Sequence, residues 1–99
     1  MKDALDKLNK VFENRVRLGI MSLLMVEEWV DFVYMKQTLD VSDGNLASHL
    51  KQLRASDYIE ERKEFLDRRP HTTYRATEAG RQAFAEHLDA LEQIIRGFG

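Results

Sequence analysis

The chain contains no cysteine and a single proline, and its apolar runs are short. Without cysteine, disulfides, thiolate zinc sites and redox-sensing thiols are excluded. The longest apolar stretch, GIMSLLMV over residues 19–26, is far shorter than the roughly 20 residues that a membrane span needs. The first ten residues, MKDALDKLNK, lack the apolar core of a signal peptide. We therefore expect a cytoplasmic protein with no membrane partner.

Length and charge set further bounds on the chain. Its 99 residues predict one domain, because a second hydrophobic core has no room at this length. Lys and Arg number 15 against 17 Asp and Glu, so the net charge of −2 gives no overall argument for a nucleic-acid partner. Residues 42–75 carry 7 basic and 6 acidic side chains, whereas residues 76–99 carry 2 and 4. Any positive field must therefore be local.

Apolar residues at helical spacing predict five helices, with a minor strand at WVDF (29–32) and a β-hairpin over about 58–76. The charged run EERKE (60–64) would also suit a solvated helix, but its position between Ile59 and a turn favours the hairpin. The expected fold class is mainly α with a small β-hairpin. Four helices should begin after a residue whose side chain accepts hydrogen bonds from first-turn N–H groups, namely Asn14, Asp31, Ser42 and Thr77.

The third and fourth predicted helices are separated by about three residues, which is the spacing of a helix-turn-helix. The stretch MKQTLDVSDGNLASHLKQLRASDYIEERKEFLDRRPHTTYRATEAGR (35–81) resembles the winged helix-turn-helix regulators of the MarR and ArsR type. It is most similar to the small stand-alone winged-helix proteins of bacteria and archaea. Their DGNLxxHLxxL stretch also precedes a hairpin that ends in RPxTxYxLTxxGR. The similarity extends over roughly residues 11–85.

This resemblance implies a winged helix with N- and C-terminal dimerisation helices. It also implies a homodimer and sequence-specific binding of double-stranded DNA by the fourth helix. The implied role is transcriptional regulation, with repression the expected mode. The helix-turn-helix would occupy about 31–56, the wing about 58–76 and the C-terminal dimerisation helix about 77–97. Three residues depart from the family pattern: Asp40 and Asp57 replace turn glycines, and Ala76 replaces a large apolar residue. Aspartate tolerates the left-handed conformation, so we expect the fold to be kept.

The fourth helix has small and hydrogen-bonding side chains opposite its leucines. A major groove about 12 Å wide admits such a compact face, and Asn or Gln can form paired hydrogen bonds with adenine. The N-terminus of this helix favours a bound phosphate, because its free N–H groups and its dipole attract negative charge. The charge of Asp43 opposes such binding. Its carboxylate either accepts a hydrogen bond from a cytosine amino group or only stabilises the helix start. His49 is either a structural histidine near the helix-wing junction, the favoured interpretation, or a base contact. The predicted DNA-binding residues here are Ser42, Asp43, Gly44, Asn45, Ser48, His49, Lys51 and Gln52.

The hairpin tip LDRRPHTTYR concentrates basic and hydroxyl side chains. Two arginines at a loop tip can straddle a phosphate or enter a minor groove, and threonines can donate to phosphates. The alternative is a solvated charged turn, partly neutralised by Glu64 and Asp67. The predicted DNA-binding residues of the wing are Lys63, Arg68, Arg69, His71, Thr72 and Thr73.

The last predicted helix carries apolar residues at alternating spacings of four and three, and Leu5, Leu8 and Phe12 predict a short amphipathic helix at the start of the chain. We expect these two helices to pair in a homodimer that binds a palindromic operator with half-sites about 34 Å apart. The predicted dimer interface is Leu5, Leu8, Phe12, Phe84, Leu88, Leu91, Ile95 and Phe98.

Other functions have weaker support. A winged helix that binds proteins is the main alternative, because the net charge is negative and IEERKE is acidic. An enzyme is rejected, since Ser48 and His49 point about 100° apart on a helix.

Three histidines without cysteine argue against a metal sensor, and His87 with Asp89 or Glu92 is interpreted as a surface or interface cluster. No cofactor or metal is expected. A small-molecule effector between the terminal helices and the DNA-binding body is left open, and the sequence identifies none.

Overall fold

The computed structural model describes residues 1–97. Within them the chain forms five α-helices, one 3₁₀ helix and three strands. These are α1 (Lys2–Asp6), the 3₁₀ helix (Lys10–Phe12), α2 (Arg15–Val26), β1 (Val30–Asp31), α3 (Phe32–Leu39), α4 (Asp43–Ala55), β2 (Ile59–Leu66), β3 (Arg69–Ala76) and α5 (Glu78–Arg96). The predicted fold class, a mainly α winged helix with a small sheet, is confirmed. No helix in this range is long and apolar enough to cross a membrane.

All four predicted helix caps are present. The Asn14 side chain accepts hydrogen bonds from the N–H groups of Val16 and Arg17, at 2.9 and 3.1 Å. Each of the other three capping side chains accepts from the N–H three residues further on. These are Asp31 for α3 at 2.6 Å, Ser42 for α4 at 3.1 Å and Thr77 for α5 at 2.9 Å. Such a cap satisfies a first-turn N–H that has no intrahelical partner, so it sets where the helix begins.

The two aspartates at the expected glycine positions lie in the left-handed region. Asp40 has φ 54° after α3, and Asp57 has φ 61° after α4. The turns keep their hydrogen bonds, from Val41 N to Lys36 O at 3.3 Å and from Tyr58 N to Leu53 O at 3.1 Å. A left-handed residue other than glycine costs roughly 1–2 kcal/mol, a cost that aspartate tolerates better than most. The helix-turn-helix geometry therefore survives both replacements.

The core lies between the helices and the sheet. Leu46, Leu50 and Leu53 of α4 are fully buried, and the same cluster contains Ile20 and Leu24 of α2. Each such side chain contributes about 1.5–3 kcal/mol by leaving water, so α4 is anchored firmly by one face. The opposite face of α4 is left in solvent.

The sheet is antiparallel in the order β1-β3-β2, with β3 in the middle. Along the hairpin, Ile59 pairs with Ala76, Glu61 with Tyr74 and Leu66 with Arg69. The register leaves Asp67 and Arg68 as a two-residue turn. Since side chains alternate between faces, Glu61 and Lys63 lie on one side of β2 and Arg62 lies on the other.

The N-terminal segment differs from the prediction of one helix through Phe12. Helix α1 ends at Asp6, and Asn9 has an extended conformation (φ −102°, ψ 117°) that interrupts the helical path. Its side chain accepts from Val11 N at 3.0 Å and so caps a separate 3₁₀ turn. This local hydrogen bond competes with the helix, as asparagine side chains often do.

Two residues of the predicted dimer interface are part of the chain's own core. Phe12 is 1% exposed and Phe84 is 2% exposed, and their ring centroids are 5.1 Å apart in an edge-to-face contact. Neither has surface left for a partner, so their assignment to a dimer interface was wrong. Of the other six, Leu5, Leu88 and Ile95 are exposed, Leu8 and Leu91 are partly exposed, and Phe98 lies outside the described residues.

His87 also departs from its prediction as a surface or interface residue. It is 3% exposed, and its Nδ1 accepts a hydrogen bond from Asn9 N at 3.0 Å. Burial lowers the pKa of His87, since the charged imidazolium would lose hydration in this site. Helix α5 thus faces the body of its own chain with Gly80, Phe84, His87 and Ala90.

Candidate nucleic-acid interface

The exposed face of α4 is compact, as the sequence predicts. Gly44, Ser48 and Lys51 are all exposed, and an added Cβ at Gly44 would have no neighbour within 4 Å. Asn45 is also exposed, one residue from the glycine. A rigid helix with short leading side chains, anchored from behind, is the shape that enters a major groove.

The N-terminal end of α4 combines a cap with an ion pair. The Ser42 hydroxyl is committed to Asn45 N, and the Asp43 carboxylate lies 2.8 Å from Lys36 Nζ on α3. Both partners of that pair are well exposed, so it contributes little to stability. Its effect is electrostatic, because Lys36 offsets the negative charge that Asp43 places at this helix end. Sequence reasoning missed Lys36, which lies in the preceding helix.

Arg17 of α2 holds the flank of α4 that lies away from the wing. Its Nε donates to Val11 O at 2.6 Å, and its Nη1 lies 2.9 Å from His49 Nδ1 and 3.1 Å from Gln52 Oε1. Desolvation by burial, and then the charge of Arg17, lower the pKa of His49. The partner of this histidine is thus on α2, and the expectation of a structural contact near the helix-wing junction was wrong in its location.

The other flank of α4 faces the wing across a cleft of about 500 Å³. Glu61 of β2, with a side chain only 12% exposed, connects the two elements: Arg54 lies 3.5 Å from its carboxylate and Lys63 lies 3.7 Å from it. The Tyr74 hydroxyl donates to the same carboxylate at 2.6 Å. The pKa of Tyr74 is raised, mainly by burial of its hydroxyl and further by its hydrogen bond to Glu61 and by the negative charge of that carboxylate. The wing is therefore fixed against α4, and Lys51, Lys63 and Thr72 line the cleft together.

The wing tip is a tight turn in which Asp67 and Arg68 have φ values of 51° and 67°. Positive φ at both central residues is the type I′ geometry, which favours Asn-Gly or Asp-Gly. Arg68 occupies the position where glycine is preferred, at a cost of roughly 1–2 kcal/mol. Both Arg68 and Arg69 are exposed, and Arg69 is the first residue of β3. Strain kept at an exposed tip is consistent with a functional role for the arginine.

Two wing residues do not lie where the sequence reasoning placed them. Thr73 is 6% exposed, because β3 is the central strand and Thr73 pairs with both Asp31 and Arg62. Its hydroxyl has no hydrogen-bond partner in the described part of the chain, and it has no route to DNA, so that prediction was wrong. His71 turns toward β1, with Nδ1 3.9 Å from the Asp31 carboxylate.

The remaining arginines of the hairpin lie on the face of the sheet away from α4. Arg62 and Arg75 stack on Trp29, with their guanidinium carbons 4.2 and 5.0 Å from its ring centroid. Arg75 also pairs with Glu60 and lies 3.6 Å from Glu28. These cation–π and ionic contacts attach the wing to the body of the protein. Because these two arginines are engaged there, the local positive surface is formed by the cations near α4. Within residues 1–97, no group of three or more His, Asp or Glu side chains could hold a metal ion.

Comparison with known proteins agrees with this geometry. Residues 16–95 match the family described as winged helix DNA-binding domain. The chain belongs to this family. The chain is also similar to an uncharacterized protein of Methanocaldococcus jannaschii, 35% identical over 87 residues, with 88% of this chain and 95% of the relative covered.

Solved structures of transcriptional regulators have the same fold. A transcriptional regulator homologue from Pyrococcus horikoshii OT3 superposes with a TM-score of 0.89 at 29% identity, over 99% of this chain and 98% of that one. A MarR-family transcriptional regulator from Silicibacter pomeroyi has a TM-score of 0.60 at 18% identity, over 100% of this chain and 71% of that one, and supports the fold alone. The resemblance to winged helix-turn-helix regulators is therefore confirmed.

Proposed function

We propose that this protein is a transcriptional regulator that binds double-stranded DNA sequence-specifically as a homodimer and has no enzymatic activity. The observation that carries the proposal is the exposed face of α4. It is anchored by buried leucines, compact at Gly44 and Ser48, and bordered on the wing side by Lys51, Arg54 and Lys63. We place its action in the cytoplasm, with repression through operator occupancy as its mode.

In this proposal α4 lies in a major groove and the wing contacts the adjacent backbone. The exposed residues Gly44, Asn45 and Ser48 face base edges, where a short side chain allows close approach. Lys51, Lys63 and Arg68 neutralise phosphates or, for Arg68, enter the flanking minor groove. Because the net charge is −2, the attraction to DNA comes from this face and not from the whole molecule.

The homodimer is supported by apolar surface at the other end of the molecule. Leu5 is 50% exposed, Leu88 44% and Ile95 72%, and α1 packs directly on α5. Covering such side chains contributes up to about 1.5–3 kcal/mol each, which favours a second copy. With Phe12 and Phe84 removed, the proposed interface consists of Leu5, Leu8, Leu88, Leu91 and Ile95. Two recognition helices would then read half-sites of a palindrome about 34 Å apart.

We propose the cleft beside this surface as the binding site of a small organic effector. It measures about 380 Å³ and lies between α2, the 3₁₀ segment and α5, with Leu8, Leu18 and Leu91 in its walls. A ligand there would contact both the dimerisation helix and the helix that supports α4. Such contacts would couple binding to the spacing of the two recognition helices.

Selection from a random duplex library with the purified protein tests the proposal. We expect a palindromic motif, whose affinity then falls with salt by about 0.9 in log K per phosphate contact. The double variant Arg68→Ala/Arg69→Ala should reduce that slope by up to about 3.6, because two arginines on each protomer give four phosphate contacts in the homodimer. Lys2→Ala/Arg96→Ala is the matched control, because it removes the same charge at the far end formed by α1 and α5. Failure to enrich any motif would favour a protein-binding module.

A further inference from the structure

Arg17 makes three hydrogen bonds, and two of them determine which atoms of His49 and Gln52 on α4 act as acceptors. Its guanidinium is a cation that carries donors only. The contacts at 2.6 Å to Val11 O, 2.9 Å to His49 Nδ1 and 3.1 Å to Gln52 Oε1 must all be accepted by the partner atoms. The Val11 carbonyl holds the guanidinium in place, so Arg17 approaches α4 from a defined position.

The chemistry of each partner then follows from that donor. A glutamine that faces a guanidinium must present its oxygen, so the two N–H bonds of the Gln52 amide point away from Arg17. A histidine that accepts at Nδ1 is neutral and carries its proton on Nε2, which makes the free edge of His49 a donor as well. The lowered pKa of His49 favours the same neutral form.

We infer that Arg17 is a specificity-determining residue, which makes His49 and Gln52 present hydrogen-bond donors and so directs this flank of α4 to base edges that carry acceptors. Guanine offers two such acceptors, N7 and O6, in the major groove. Paired bonds between Gln52 and adenine would need Oε1 to accept from the N6 amino group. Arg17 already donates to that oxygen, and its positive charge beside the second lone pair disfavours an incoming amino group. The inference rests on the proposed function and replaces adenine with guanine as the base for Gln52.

Base preference tests this inference more directly than affinity does. The random-duplex selection would be run on the wild type, Gln52→Ala, Arg17→Met and Arg96→Met. Gln52→Ala identifies the operator position that depends on this side chain, which should be guanine in the wild type. Arg17→Met frees Oε1 and should shift that position toward adenine, by about 5- to 10-fold in relative enrichment, the lower part of the range for a paired contact. Arg96→Met removes the same charge from the end of α5, where it breaks only the exposed pair with Glu92, and should leave this preference unchanged.

Several results would overturn the inference. One is a Gln52-dependent position that prefers adenine in the wild type, and another is a base preference that Arg17→Met leaves unchanged. If none of the proteins enriches a motif, the proposed function itself fails, and this outcome is distinct from a motif with the wrong base.

A measurement on the free wild-type protein keeps the test independent of how Arg17→Met folds. Nitrogen-15 NMR reports which imidazole nitrogen of His49 carries the proton. We expect Nε2, and a proton on Nδ1 would overturn the inference.

Discussion

Adding one methyl group to α4, by Gly44→Ala, should stabilise the fold and weaken DNA binding. Gly44 has a negative φ, and a new Cβ would meet no atom within 4 Å. Alanine is favoured over glycine in a helix by roughly 0.5–1 kcal/mol, and the first turn places the gain near the lower value. For a domain of this size, about 0.5 kcal/mol raises Tm by roughly 2–4 °C.

The same methyl group projects from the face that we place in the major groove. If the backbone at Gly44 approaches the bases, the added carbon must displace α4 outward and loosen every neighbouring contact. We expect an affinity loss of about 10-fold, equivalent to about 1.4 kcal/mol, measured by fluorescence anisotropy on the selected duplex. Thermal unfolding of the same sample supplies the stability.

Gly80→Ala is the matched control, since it makes the same substitution in another helix. There a Cβ would lie 2.0 Å from the Tyr58 carbonyl oxygen, which is backbone and cannot move aside cheaply. We expect this overlap to lower the free energy of unfolding by about 3 kcal/mol or more. A Gly44→Ala protein that is more stable and binds its operator as tightly as the wild type would refute the placement of this face against DNA.

Three further predictions concern the wing tip, the dimer and pH. Arg68→Gly should raise the free energy of unfolding by about 1 kcal/mol, because glycine adopts the left-handed conformation without strain; denaturant titration measures this change. The same substitution should lower DNA affinity at low salt, which fluorescence anisotropy measures. Ile95→Asp should give monomers in analytical ultracentrifugation at micromolar concentration, whereas Val26→Asp, on a valine of α2 that is even more exposed (85% against 72% for Ile95), should not. The pKa of His87 lies below its usual 6.5, and His49 shifts in the same direction, so the unfolded chain binds these protons more readily. The free energy of unfolding should therefore be level above about pH 6.5 and fall below it, by at most about 1.4 kcal/mol per pH unit for each histidine. His87→Gln should reduce that slope, and an unchanged slope would contradict the burial argument.

Features that depend on a few neighbouring residues could be predicted from the sequence. A cap needs only a short polar side chain and the N–H groups of the next turn, so Asp31, Ser42 and Thr77 were located correctly. The left-handed conformation of Asp57 was also predicted, because aspartate tolerates it better than most residues, and that of Asp40 followed from the family resemblance.

Features that depend on distant parts of the chain were missed or misplaced. The spacing along α5 identifies apolar residues, but it does not separate those that face the chain's own core, such as Phe84, from those left exposed, such as Ile95. Thr73 looks like any strand threonine until β1 is seen to pair with β3. Arg17 is more than thirty positions from its α4 partners, and no local pattern connects it with them.

The stacking of the wing on Trp29 has an optical consequence. This is the chain's single tryptophan, and the two guanidinium groups that rest on its ring both come from wing strands. Any displacement of the wing from the body changes the surroundings of that indole and hence its emission. The unlabelled protein therefore carries its own fluorescent reporter of wing position, in a place that leaves the α4 surface unmodified.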